Sequence, residues 1–194
     1  MANITKLWDM LNTNEAGLER IGIRHLVVYQ ALRDPNRVFV TLGIRARRPL
    51  EVLLRSSALF TWFDAVGVEE IPPLFAGHAM EKIELAEAAG TKIPARIVVA
   101  ALAPVRDLDS LLVNVHDRQD RLRRAGIRKV WIYRALDDDN EAMVLQELDS
   151  PEHASRWIDH PDSVAEWMSG VGRGVYPPVF VGTVRHVLSF GKPN

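Results

Sequence analysis

Residues 22–41, GIRHLVVYQALRDPNRVFVT, and residues 126–145, GIRKVWIYRALDDDNEAMVL, align without a gap at an offset of 104. Nine of the twenty positions are identical, among them Gly22/Gly126, Arg24/Arg128, Tyr29/Tyr133, Asp34/Asp138 and Asn36/Asn140. A second match, IPPLFAG at 71–77 against YPPVFVG at 176–182, follows one residue out of step. A period near 100 residues is too long for a solenoid unit and marks a duplicated domain. The expected domains are therefore 1–90 and 91–194.

Repeat two is the fuller copy. ARIVVAALA at 95–103, an apolar β-branched run between prolines, predicts a buried strand. Asp107 or Asp109 supplies a helix cap, and Leu108, Leu111, Leu112, Val115 and Leu122 form one stripe at helical spacing. Gly126 ends that helix, as a residue able to turn left-handed does. A hairpin follows, with strands 127–136 and 141–148 around DDDN. Helical material covers 151–170, broken near His160–Pro161, and VFVGTVRHVLSF is the closing strand. The order β-α-β-β-α-β is the split βαβ arrangement of ferredoxin-like domains.

In repeat one, Ile4, Leu7, Trp8, Leu11 and Leu18 take the stripe positions. Strands 23–32 and 37–44 flank DPN, helix covers 48–66, and 79–86 is the last strand. The first strand is missing. Three readings stay open: a three-stranded sheet, a neighbouring strand in the vacant edge, or a start upstream. An open edge is normally covered or blunted, so the two repeats are expected to touch.

Composition narrows function mainly by exclusion. A net charge of -1 gives no field to gather nucleic acid or anionic lipid. Arg45, Arg47 and Arg48 are balanced by the run Asp137, Asp138, Asp139. With no cysteine, thiolate chemistry and cysteine-ligated metals are excluded. No apolar run reaches membrane-spanning length, and MANITKLWDMLN does not read as a secretory signal; the expected location is the cytoplasm. The six histidines form no HExxH motif, so neither metal nor other cofactor is expected. GVGRG at 170–174 lacks the lysine and strand-loop-helix context of a phosphate loop.

The candidate site comes from strand alternation. His25, Val27 and Tyr29 point to one side of their strand, as do Lys129, Trp131 and Tyr133 of theirs. Helices cover only one face of such a sheet, so the other faces, buried against each other, would make a pseudo-symmetric module with a cavity between the sheets. His25 is the candidate proton acceptor. Tyr29 and Tyr133 can position a ligand and Trp131 can supply a stacking wall. The plainer account of both tyrosines is a core aromatic, and Trp62 and Trp167 read as helix-on-sheet packing.

With Gly-Ile-Arg, Tyr-x-Ala-Leu, Asp-x-Asn and Pro-Pro-x-Phe-x-Gly in this order, nearly the whole chain resembles the dimeric α+β barrel superfamily, and within it the antibiotic-biosynthesis-monooxygenase-like proteins, in tandem copy. The resemblance implies an α+β fold of two fused ferredoxin-like repeats forming an intrachain dimeric-barrel-like module. It implies activities from cofactor-independent oxygenation of aromatic substrates through haem degradation to simple binding. No catalytic motif of the superfamily matches residue by residue. The reading is a small-molecule enzyme of cofactor-independent monooxygenase-like type acting between the sheets on a small aromatic or apolar ligand. The alternative is a non-enzymatic ligand-binding or assembly protein, and a homo-oligomer is compatible with either.

Overall fold

In the computed structural model, which describes residues 4–44, 47–55, 57–65, 67, 73–85, 97–159 and 179–190, the repeated glycines sit at φ of 89° (Gly22) and 82° (Gly126). That left-handed conformation costs glycine nothing and lets each helix end sharply. Before Gly22 come α1 (Ile4–Thr13) and α2 (Glu15–Arg20); before Gly126 come α5 (Leu108–Asp117) and α6 (Gln119–Arg124). The single helix expected in each repeat is thus broken once, at Asn14 and at its counterpart Arg118, both with φ near -105° and ψ near 15°. Asp107 caps α5, its carboxylate accepting from the Ser110 N–H at 2.8 Å and the Asp109 N–H at 3.3 Å.

The remaining elements follow the expected order. Repeat one continues with β1 (Ile23–Ala31), β2 (Val38–Ile44), α3 (Arg47–Leu54), α4 (Ser57–Ala65) and β3 (Gly77–Glu84). Repeat two has β4 (Ile97–Pro104) before α5, then β5 (Ile127–Ala135), β6 (Glu141–Leu148), α7 (Pro151–Asp159) and β7 (Val179–Ser189). The expected break at His160–Pro161, Trp167 and the GVGRG loop lie outside the described residues.

Each part of the shared motif has a physical job. Ile23 and Ile127 are buried beneath the helices. Arg24 and Arg128 are the extra residues of matching bulges, between Ile23 and His25 and between Ile127 and Lys129. In the hairpin turns, Asp34 Oδ1 accepts from the Asn36 N–H at 3.0 Å and Asp138 Oδ1 from the Asn140 N–H at 2.8 Å. This side-chain turn is why Asp-x-Asn recurs.

The chain forms two compact units, Met1–Pro73 with Val184–Asn194 and Leu74–Thr183. In the first unit the strand order is β2-β1-β7. Leu11 and Leu18 of the helices bury Ile23, Leu26 and Val28, with Phe190 completing the core. In the second unit the order is β7-β4-β6-β5-β3, antiparallel throughout. Its first four strands are those of repeat two in ferredoxin-like order. The fifth, β3, comes from repeat one.

That last pairing differs from the simple expectation that β3 closes the sheet of its own repeat. The missing first strand of repeat one is not the cause, because β7 pairs with β4 of its own repeat and still reaches β1 of the other. The closing strand of each repeat instead meets the bulged arginine of the other. The Leu85 N–H donates to the Arg128 carbonyl at 2.7 Å, and the Phe190 N–H to the Arg24 carbonyl at 2.8 Å. The fold is thus α+β with antiparallel strand pairing and helices, as the ferredoxin-like reading requires. No helix among the described residues is long and apolar enough to cross a membrane.

Candidate functional site

In the second unit, His116 on α5 contacts Glu81 Oε1 at 2.7 Å, and Glu81 stands opposite Ile132. The helix therefore lies on the Ile132 side of the sheet. Trp131 and Tyr133, the alternate residues of β5, occupy the other face, where sequence alternation puts them.

Register sorts that face into three rows. Glu84, Lys129, Glu147 and Val98 form the first. Lys82, Trp131, Leu145, Ala100 and Phe180 form the second, and Ala79, Tyr133, Met143 and Leu102 the third. The first row is ionic at its β3 end. Glu84 lies 2.6 Å from Lys82 and 3.8 Å from Lys129. The hydrogen bond and charge of Lys82, then the charge of Lys129, hold the Glu84 carboxyl below its ordinary range. Apart from Lys82 at the β3 end, the other two rows are aromatic and apolar. Trp131 and Tyr133 are half-buried, whereas Leu145 and Ala100 are buried. This surface can stack a flat apolar molecule and present charge at one border.

The first unit uses the same positions differently. His25 is exposed, opposite Gly43, and its imidazole fills the space a Gly43 side chain would take. Tyr29 is 6% exposed and packs on Phe39 with ring centroids 5.6 Å apart. His25 and Tyr29 thus share one strand and one unit, and Trp131 and Tyr133 share another strand in the other unit. Tyr29 has the packing expected of a core aromatic, while its counterpart Tyr133 is the more exposed of the two.

His186 and His153 have structural neighbours. His186 stacks on Trp8 at 3.9 Å and 11°. Burial, then the Arg185 charge, lowers its pKa. His153 Nδ1 lies 2.6 Å from Asp149 Oδ1, and both pack against Gly126. Among the described residues no cluster of three or more His, Asp or Glu side chains could hold a metal ion. Trp62 packs against the first unit's core.

Lys82, Glu84 and Ala79 were not candidates from sequence. They lie on β3, some fifty residues before the strand they border, and local patterns do not show such pairing. The one available signal was the missing strand, which left β3 without a partner in its own repeat.

No protein-family model and no curated protein matches the chain. Solved structures do. An anthrone oxidase-like protein superposes with a TM-score of 0.66 at 15% identity, over 99% of this chain and 90% of that one. Two bacterial proteins named "putative monooxygenase" have TM-scores of 0.52. The one from Lactobacillus acidophilus is 13% identical over 96% of this chain and 87% of its own. The one from Fusobacterium nucleatum is 9% identical over 95% and 93%. At these identities the likeness establishes a shared ferredoxin-like α+β fold.

Proposed function

We propose that this chain is a small-molecule enzyme of cofactor-independent monooxygenase-like type whose flat aromatic substrate stacks on the Trp131–Tyr133 face of the second unit. The observation that carries the reading is the pair of half-buried aromatics side by side on the face opposite α5, backed by Met143 and Leu145. Their repeat-one counterparts, Val27 and Tyr29, offer one aromatic fewer. The fold likeness to a protein named for anthrone oxidation suggests the substrate class.

An anthrone carries an acidic C–H between two aromatic rings. Loss of that proton leaves a carbanion able to pass an electron to dioxygen. Recombination gives a hydroperoxide, which loses water to leave a ketone. One O2 is consumed per substrate: one oxygen atom is kept and the other leaves as water. In this reading Trp131 is the stacking wall, Tyr133 positions the substrate, and the proton passes to solvent.

Anthrone itself is the probe. The protein should accelerate oxygen uptake and quinone formation in equal amounts. Trp131→Ala should raise KM with a smaller change in kcat. A rate no faster than buffer sinks the enzymatic reading. One observation favours the alternative of binding without turnover: the two rows bearing Trp131 and Tyr133 contain no imidazole or carboxylate. Anthrone that quenches Trp131 fluorescence without oxygen uptake would select it.

A further inference from the structure

Among the described residues, β2 is paired on one side only, by β1. Its seven residues, VFVTLGI, include no charge and no proline. Natural edge strands are normally blunted by such residues or by bulges, because an open edge recruits other strands. The edge strand β3 obeys that rule, with Glu81, Lys82, Glu84 and a register shift between Ala79 and Glu81. Strand β2 does not.

The duplication shows what β2 lacks. Its counterpart β6 carries β4 on the corresponding side, antiparallel from Ile97 opposite Leu148 to Pro104 opposite Glu141. With that strand in place Val144 and Gln146 are each 1% exposed. The matching β2 residues, Val40 and Leu42, are 36% and 37% exposed. The vacancy fits an apolar antiparallel strand of about the length of β4.

Charge identifies the occupant. Strand β6 is flanked by Glu141, Asp149 and Glu152, and β4, which serves it, by Arg96 and Arg106. At the three positions equivalent to those acids, β2 is flanked by Arg37, Arg45 and Arg48. Arg37 and Arg48 are exposed. The sign is reversed, so a strand completing β2 should carry acidic flanks. A second copy fits poorly, because it brings the same arginines, Arg37 and Arg48, in place of acidic flanks. We propose that the β2 edge is a strand-addition site for an extended apolar segment of a partner protein flanked by acidic residues. Main-chain bonds give such a site its affinity, and the flanking charges give it selectivity.

The test uses the full chain and two fluorescent peptides. Both carry the β4 sequence IVVAALAP, one flanked by aspartates and the other by arginines. Fluorescence anisotropy should show the aspartate-flanked peptide binding roughly fivefold tighter, the scale of two exposed ion pairs. Binding should slow amide exchange across 38–44. Arg37→Glu with Arg48→Glu should reverse the preference, and Leu42→Lys should weaken both peptides at unchanged circular dichroism. Failure of both peptides to bind, equal affinity for the two, protection elsewhere, or a β2 edge already protected in the peptide-free chain each overturns the proposal. Sedimentation showing a dimer that the peptide does not dissociate overturns it in favour of a second copy.

Discussion

A Cβ on Gly126 would fall where the His153 imidazole and the Asp149 carboxylate already sit, and its φ of 82° is left-handed. Gly126→Ala should therefore lower stability by about 2 kcal/mol, measured by urea titration. Adding His153→Ala should recover the part due to crowding and leave the dihedral part. No recovery would show that crowding contributes nothing. Gln146 offers the opposite sign. It is 1% exposed, its Oε1 has no partner among the described residues, and its repeat-one counterpart is Leu42. Gln146→Leu should stabilise the chain by about 1 kcal/mol, and a lower urea midpoint would reject that reading. His186 sets a pH dependence. Its folded pKa lies below the ordinary imidazole value of about 6.5, chiefly through burial. The unfolded chain then takes up the proton more readily. The His186 contribution is complete above that value and declines as pH falls through it towards the lowered folded value. Urea midpoints at about pH 7.5 and 5.5 should differ less in His186→Gln than in the parent. An unchanged difference would assign the dependence to other groups. The sequence made Gly126 legible because a helix stop is local. No local pattern marks the stacking of His186, because the partner ring, Trp8, lies near the other end of the chain.

At the scale of elements, hairpins and helix ends were readable because their causes lie within a few residues. The Asp-x-Asn turn and the apolar stripe each name their own structure, and the sequence narrows the cap to Asp107 or Asp109. Strand β3 was readable as a strand but not as a neighbour of β5, since pairing register between distant segments leaves no local mark. The same blind spot hid Lys82 and Glu84 at the border of the candidate site. This pairing makes a specific demand. Ile83 is 7% exposed and stands opposite Val130. Ile83→Ala should cost about 2 kcal/mol, near the lower end for a buried isoleucine because the strand is at an edge. The loss should appear in repeat two although the residue belongs to repeat one: amide exchange should quicken across β5 more than across β1 and β2. Equal quickening in both hairpins would show that β3 supports the second unit no more than the first.

For the whole chain, the sequence repeats and the compact units divide the residues differently. The boundary proposed from the duplication falls at 90/91. The first unit, however, includes Val184–Asn194, and the second begins at Leu74. A chain cut at the repeat boundary leaves the first half without Leu188 and Phe190, which pack in the first unit's core. The second half loses β3 and with it the cover over Val130 and the Glu81 contact to His116. Neither half then holds all of the apolar surface its unit buries, and small domains have little margin for such a loss. Residues 1–90 and 91–194 expressed separately should each give broad, weakly cooperative unfolding. Expressed together, they should copurify and recover a cooperative transition, because each carries the strand the other's unit lacks. A half that is monomeric and unfolds cooperatively alone would show that its repeat is self-sufficient and that the exchanged strand only extends a sheet already stable. Under the expected outcome, the duplication works at the level of strands: β3 and the later part of β7 complete units to which their own repeats contribute only in part.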